Sequence, residues 1–436
     1  MPVTGNSRLS RFFPATELTI IVAMAPALVF PTPSRLMVLF LIPALWVWAR
    51  VATGRFVPST PINPALWLML AMVGVSLHTT FDVRFSLDKI SGVILGALLF
   101  WAISRWLTTF SRLKLGTAVF IAVGAVLALV GVFGVDPNRG KGLDILAAIA
   151  QWPVAIRNVP GAEQGFNPNA VAGCLVLFVP FQAAVLAATA KRWWFRMAGT
   201  GSRRVGRSLV FVQALLLLLT AGAVMLMQSR GAWLGLVAAT VAFLAWYSPR
   251  TRAMMAIATA VGLVLLIAVG PITLIRQTVD LSEPDGSDAI GLRVALWSKA
   301  IHFIQDSPVT GIGMNIFRKA AGVQLPPPYP DPAHAHNNLL QTSLDLGIPG
   351  LIAYTSIWLI AALLLVMVYR RSRNRVHRAM AGGLGGGLIA HFVFGLADAI
   401  PLGSKVGVTF WLTVALTVAL HRVVNPTPEA HRWTDT

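Results

Sequence analysis

Two histidines, His334 and His336, close the longest polar segment of an otherwise apolar chain. Asn337 follows at once, and Pro326, Pro327, Pro328, Pro330 and Pro332 come just before. Next is an apolar stretch with Gly347 and Gly350 at its mouth, so both imidazoles are delivered where a polar loop re-enters an apolar layer. Reacting groups tend to sit on such loops, held by a rigid scaffold. A histidine titrates near neutral pH and serves as a general base without a cofactor. The pair admits two other readings, a hydrogen-bonded structural histidine and a metal site completed by Asp331. A His-x-His pair alone is thin support for a metal, which wants three or four donors and groups that orient them. No Asp-x-Asp pair stands on the same side of the membrane, and no metal or cofactor is assigned.

The cations nearby suit an anionic substrate. Arg230 lies between Ser229 and Gly231 at the end of an apolar run. It reads either as an arginine snorkelling to the interface or as a guanidinium left bare by its glycine neighbour, whose fork fits a phosphate. Arg293 and Trp297 are four apart and share one helix face. They read as anchors of an interfacial helix or as a second phosphate contact, with Trp297 packed on lipid or sugar. His391 and Asp398 are seven apart and share a face of another apolar stretch. Ionisable residues in spans are functional candidates by default. Asp398, near the end, is placed to orient a histidine or arginine from the loop, and a proton relay is the rival reading. Lys405 reads as a headgroup contact.

The elements that must position these groups follow from composition. Of 436 residues, 56% are hydrophobic and 12% charged, with a mean hydropathy of +0.72. A soluble domain has about 25% charged residues, so this is an all-α polytopic membrane protein. Apolar runs of about 17–25 residues cross a bilayer. About twelve segments qualify as spans: 16–32, 35–50, 63–78, 88–105, 115–134, 168–190, 208–227, 231–247, 252–274, 347–369, 379–397 and 403–421. The first lacks a small-x-small cleavage site and reads as an uncleaved span. Most of the Lys and Arg fall on the face that holds both termini, while all acids but Glu17, Glu429 and Asp435 fall on the other. The formal charge of +19 is therefore a topology signal and a contact with membrane lipids, with both termini cytoplasmic and no nucleic acid implied. The single cysteine, Cys174, excludes an intrachain disulfide and reads as a small core hydrophobe.

The non-cytoplasmic face receives three notable pieces. Residues 144–152 alternate like a short interfacial helix, and Gln228–Gly231 form a tight turn between two spans. Residues 275–346 form a connection too long to be a simple loop. Within it, 289–305 reads as an amphipathic helix ended by Asp306-Ser307-Pro308, with a turn at Gly311-Ile312-Gly313. The glycines of 382–387 lie in a span, where small residues let helix backbones approach closely. The chain thus divides into spans one to nine (1–274), the long loop with the histidines (275–346), and the last three spans with a cytoplasmic tail (347–436).

Three of these pieces, in this order, resemble the O-antigen ligase and polymerase superfamily. His336-Asn337, nine residues, then Gly347-Ile348-Pro349-Gly350 fits the ligase pattern, as do Ser229-Arg230-Gly231-Ala232 and Arg293-x-x-x-Trp297 followed by Asp306-Ser307-Pro308-x-x-Gly311-x-Gly313. The resemblance covers about 228–350. It implies a metal-independent integral-membrane glycosyltransferase of the GT-C type, in the inner membrane of a bacterium with its active site on the periplasmic side. The implied donor is O-antigen on undecaprenyl diphosphate and the implied acceptor is lipid A-core. His336 is implied as general base, with Arg230 and Arg293 on the diphosphate and Asn337, Trp297 and Asp398 lining the site. Polymerases and protein O-oligosaccharyltransferases share the motif, so the acceptor stays open. A transporter with a His391–Asp398 relay is the rival from another class.

Overall fold

The computed structural model describes residues 7–135, 156, 158–160, 162–163, 165–196, 203–247, 250, 253, 289–322 and 334–426. The expected helix at 144–152, the span at 252–274, Asp331, the prolines of 326–332 and the end of the cytoplasmic tail lie outside these residues. Every regular element described is helical: α1 (Ser7–Val29), a 3₁₀ turn (Arg35–Phe40), α2 (Leu41–Thr53), α3 (Asn63–Thr79), α4 (Val83–Trp106), α5 (Phe110–Gly134), α6 (Pro168–Leu175), α7 (Val179–Arg196), α8 (Arg203–Leu226), α9 (Arg230–Tyr247), α10 (Ala289–Asp306), α11 (Phe317–Gly322), α12 (Asn338–Arg371), α13 (Arg375–Ala397), a second 3₁₀ turn (Lys405–Gly407) and α14 (Val408–Val424).

Nine stretches among the described residues are long and apolar enough to cross a membrane. The apolar helix at Arg230–Ala245 is shorter, and α3 has 17 residues. These cover eleven of the twelve segments read from the sequence; of the twelfth, 252–274, the structure describes only residue 253. Helix α13 is the hub, packing on α7, α9 and α12, while α3 backs α12 and α4 packs on α1 and α14. The glycines of α13 serve as expected. A Cβ on Gly387 would run into the Leu177 carbonyl, and one on Gly383 would sit 2.8 Å from the Phe181 Cα. The helix backbones can touch there only because no side chain intervenes.

One feature of α12 differs from expectation. The helix begins at Asn338 rather than 347, and it breaks internally at Gly347 (φ 68°, ψ −178°). The loop after α10 clasps this break. Ile348 N donates to Pro308 O (2.7 Å), and Ile312 N donates to Leu344 O (2.8 Å), so backbone groups freed at the break find partners in the loop. Gly311 (φ 67°) and Gly347 both lie in the left-handed region, and a Cβ on Gly311 would sit 2.7 Å from Gly347 N. Glycine tolerates this conformation and closeness where other residues do not. The two glycine motifs of the sequence are thus one interlocked joint.

Candidate active site

The joint fixes the first turns of α12, and the histidines expected to react lie just before that end of the helix. Asn337 caps it: Oδ1 accepts from Leu339 N (2.9 Å) and Leu340 N (3.1 Å), satisfying free amides of the first turn. Its Nδ2 donates to Leu396 O on α13 (3.1 Å), and Asn338 Oδ1 accepts from Ile400 N (2.8 Å). Both asparagines therefore tie the start of α12 to the end of α13. Asn337, implied by the resemblance to line the site, is here a helix cap.

This tie brings Asp398 to the histidines. Asp398 ends α13 in extended conformation (φ −147°), so its side chain leaves the helix face that His391 occupies. Its Oδ1 lies 3.0 Å from His336 Nδ1 and 3.7 Å from His334 Nε2, and it also accepts from Ala399 N (2.8 Å). Burial pushes the Asp398 carboxyl up, but the His336 hydrogen bond, the electrostatic pull of the two imidazoles and the Ala399 amide together hold it below its ordinary value. A carboxylate there accepts, so His336 Nδ1 carries a proton and Nε2 is left with a lone pair. The His336 side chain is 23% exposed, enough to be reached. His334 Nδ1 accepts from His336 N (3.2 Å), which places a neutral His334's own proton on Nε2, toward Asp398. Burial lowers His334 to about 4 despite Asp398, with His336, Lys89 and Arg293 adding to the effect. It is neutral at pH 7. The ligand atoms of His334, His336 and Asp398 all lie within 4.8 Å of one another, a spacing a divalent metal ion can use.

His336 sits at φ 49°, which is uncommon for a residue with a side chain. The neighbouring residue is held from both sides. Ala335, fully buried, donates its N–H to Gln341 Oε1 (2.9 Å) and accepts at its carbonyl from Trp297 Nε1 (3.0 Å). Gln341 Nε2 in turn donates to Asp345 Oδ1 (2.9 Å), which also accepts from Asn315 N (3.2 Å). Asn315 Nδ2 reaches Phe85 O on α4 (2.9 Å). Gln341 and Asp345 are both buried. Trp297, expected against lipid or sugar, thus spends its indole N–H on the histidine loop.

The two arginines flank the same end of α13. Arg293 Nε donates to Ala397 O (2.9 Å), the residue before Asp398. Arg230 opens α9 after the tight turn at Gln228 (φ 49°) and is exposed. Its neighbour Gly231 packs on Phe394, one turn before Asp398. Arg230 makes no hydrogen bond or ion pair among the described residues, so its guanidinium is open to a ligand. His391 is elsewhere: buried, with Nδ1 donating to Gly173 O (2.8 Å) and its ring stacked on Trp358 at 6.0 Å. The shared helix face expected for His391 and Asp398 is broken by the extended backbone at Asp398, and His391 is a core residue.

Residues 215–355 match the family model described as O-Antigen ligase. The match falls on the stretch where the motif resemblance lies and contains Arg230, Arg293, Trp297, His336 and Asn337. It suggests an activity of the ligase or polymerase type. No curated protein matches the chain. Sequence reasoning did not single out Gln341, Asp345, Asn315 or Lys89. An amine inside an otherwise apolar span was the available signal for Lys89, whereas Asp345 lay in what reads as a loop and gave none.

Proposed function

We propose that the chain is an inverting GT-C glycosyltransferase, an O-antigen ligase. It moves polysaccharide from undecaprenyl diphosphate to a core sugar of lipid A on the periplasmic face of the bacterial inner membrane. His336 Nε2 takes the proton of the acceptor hydroxyl as that oxygen attacks the anomeric carbon. The bond from this carbon to the phosphate oxygen breaks, and undecaprenyl diphosphate leaves with the electron pair. Asp398 holds the Nδ1 proton, fixes the tautomer and stabilises the imidazolium that forms, the same division of labour as in a histidine–aspartate pair of a hydrolase. Arg230 and Arg293 meet the charge growing on the diphosphate, where loss of one such donor costs about 2.7–4 kcal/mol of barrier. Both substrates are lipids, so confinement to one leaflet supplies much of the proximity.

The observation that carries this reading is the His336–Asp398 hydrogen bond at 3.0 Å, with Arg293 bonded to the adjacent Ala397 carbonyl. The test is His336→Ala in purified protein given lipid-linked donor and lipid A-core. Transfer should fall by roughly 10²–10⁴-fold, the usual worth of a general base, while the protein still inserts. Transfer at the wild-type rate refutes the base. Wild-type protein that consumes lipid A-core is a ligase; one that lengthens only the polyprenyl-linked glycan is a polymerase. The cluster within 4.8 Å supports a second, metal-assisted reading. Activity abolished by chelator and restored by a divalent ion would favour it over the free base.

A further inference from the structure

The outer end of α4 gathers positive charge that the reaction described above does not use. Lys89 lies inside α4, a membrane-spanning helix, with its side chain 19% exposed. Two other segments converge there, each bringing a cation. Asn315 is bonded to Phe85 O one turn away, and Lys319 pairs with Asp82 and lies over the Phe85 ring (4.5 Å), so 315–319 lies on the end of α4. Arg318, next to Lys319, is exposed. From the other side, the backbone at Gly403 is pressed against the backbone of Lys89, bringing Lys405 two residues on. Lys405 donates to the Pro160 carbonyl and lies over the Phe30 ring (4.7 Å), and among the described residues no carboxylate pairs with it. Lys405 and Arg318 each act electrostatically on Lys89.

Among the described residues, carboxyls balance this group only in part. Asp82 is taken by Lys319. Asp88 is 3.9 Å from Lys89 and partly exposed, a pair of little worth. Asp345 also feels Lys89, but its Oδ1 is committed to Gln341 and Asn315. Like charges brought together by three separate segments, one of them inside a membrane helix, imply an anion between them. The hydrogen-bonded chain Phe85–Asn315–Asp345–Gln341–Ala335 joins this end of α4 to the histidine loop, and Lys89 acts electrostatically on His334, so the anion would lie on the α4 side of that loop.

We infer that Lys89, with Lys405 and Arg318 around it, binds a phosphoryl group of a lipid-linked substrate beside His334. The phosphoryl group belongs either to the polyprenyl diphosphate donor or to the phosphorylated glycolipid acceptor. That it is a substrate's rests on the transferase reading; that the site takes a phosphoryl group does not. The experiment therefore measures binding and not turnover. Farnesyl diphosphate and a monophosphorylated disaccharide lipid are titrated separately into the full chain in nanodiscs of zwitterionic lipid, with wild type, Lys89→Met and Lys89→Arg. Lys89→Met should weaken one probe roughly tenfold, the loss of about one charge-assisted hydrogen bond, while Lys89→Arg largely retains it. The affected probe identifies donor or acceptor. If Lys89→Met does not fold, the double variant Lys405→Met/Arg318→Gln replaces it, with the same direction expected. Unchanged affinity for both probes in a folded variant overturns the site. A loss seen only when anionic phospholipid is added to the nanodiscs assigns the site to a bilayer headgroup and overturns the substrate assignment. If probe binding behaves as expected but wild type transfers no glycan, the transferase reading fails and the anion site stands.

Discussion

Gln341→Leu tests whether the histidine loop is held in place by the buried chain behind it. Leucine is close in size but removes two hydrogen bonds, from Ala335 N at 2.9 Å and to Asp345 Oδ1 at 2.9 Å. Ala335 is fully buried, so its N–H has no water to turn to. A stranded buried donor costs about 1–3 kcal/mol. His336 is in the left-handed region, which itself costs roughly 1–2 kcal/mol for a residue with a side chain. The loop therefore has an incentive to relax once the Gln341 bond is gone. If about 1–3 kcal/mol is drawn from the reactive conformer, kcat falls by roughly 5- to 150-fold. KM should change little, because Gln341 is buried behind the histidine loop. A second variant separates positioning from misfolding. Gln341→Glu faces the Asp345 carboxyl with another and should lose activity. Adding Asp345→Asn restores a donor–acceptor pair in reverse order, with the carboxylate introduced at position 341 still accepting from Ala335 N, and should recover most of kcat. Steady-state transfer assays on purified, inserted protein read all three. Wild-type kcat in Gln341→Leu refutes the reasoning, and so does a double variant no better than Gln341→Glu.

Three further outcomes follow from the geometry. Asp398→Asn keeps the shape but can offer Nδ2 to His336 Nδ1, which moves the imidazole proton to Nε2; kcat should drop roughly 10²–10⁴-fold with KM nearly unchanged. A change in KM alone argues against it. His334 has a folded pKa of about 4 against an ordinary 6.5. Between those values the unfolded chain binds a proton that the folded chain refuses, so stability is full above about pH 6.5 and declines as pH falls toward 4, by about 3 kcal/mol in all. The depressed Asp398 carboxyl works in the same direction at lower pH, its contribution being lost as pH falls through its folded value. His334→Asn should flatten the acid side of a thermal-midpoint profile in detergent, and a profile parallel to wild type counts against the burial. Gly347→Ala forces a left-handed alanine whose Cβ overlaps the Val309 carbonyl. It should lower stability by at least the roughly 1–2 kcal/mol of the backbone conformation, read as a lower thermal midpoint, and reduce kcat through the clasp. A midpoint equal to wild type shows that the break at Gly347 is not required.

The helical class, the α10 helix and the tight turn before Arg230 were legible because each has a local cause. Hydrophobic length marks a span, an alternation of faces marks the loop helix, and a glycine beside a serine and an arginine marks the turn. The start of α12 was not, because 338–346 is polar for its position: Asn338, Gln341, Thr342, Ser343 and Asp345 are all buried. In sequence they read as a continuing loop. In the fold they are buried because each finds a hydrogen-bond partner, either on a neighbouring element or on the helix's own carbonyls.

The same distinction divides the site. His336 and the two arginines were visible as residue types at recognisable spacings, and Asp398 was visible as a carboxyl able to orient a loop histidine. What hydropathy and spacing could not reveal is which groups meet across long separations. Asp398 finds His336 rather than His391 because the backbone is extended after Ala397, a conformation that the seven-residue spacing hides. Trp297 finds Ala335 and Asn315 finds Phe85 only once α10 and the clasp are folded onto α12 and α4. The residues most exposed to this blindness are those that act through others, Gln341 and Asp345, and those far away in sequence, Lys89. Lys89 lies 126 residues before the matched stretch 215–355 begins (215 − 89), so no motif within that stretch could have pointed to it. Its case rests on physical grounds alone: an amine within a membrane helix is a functional candidate, and among the described residues the carboxyls in electrostatic reach are either bonded elsewhere or partly exposed, which leaves room for an anionic ligand.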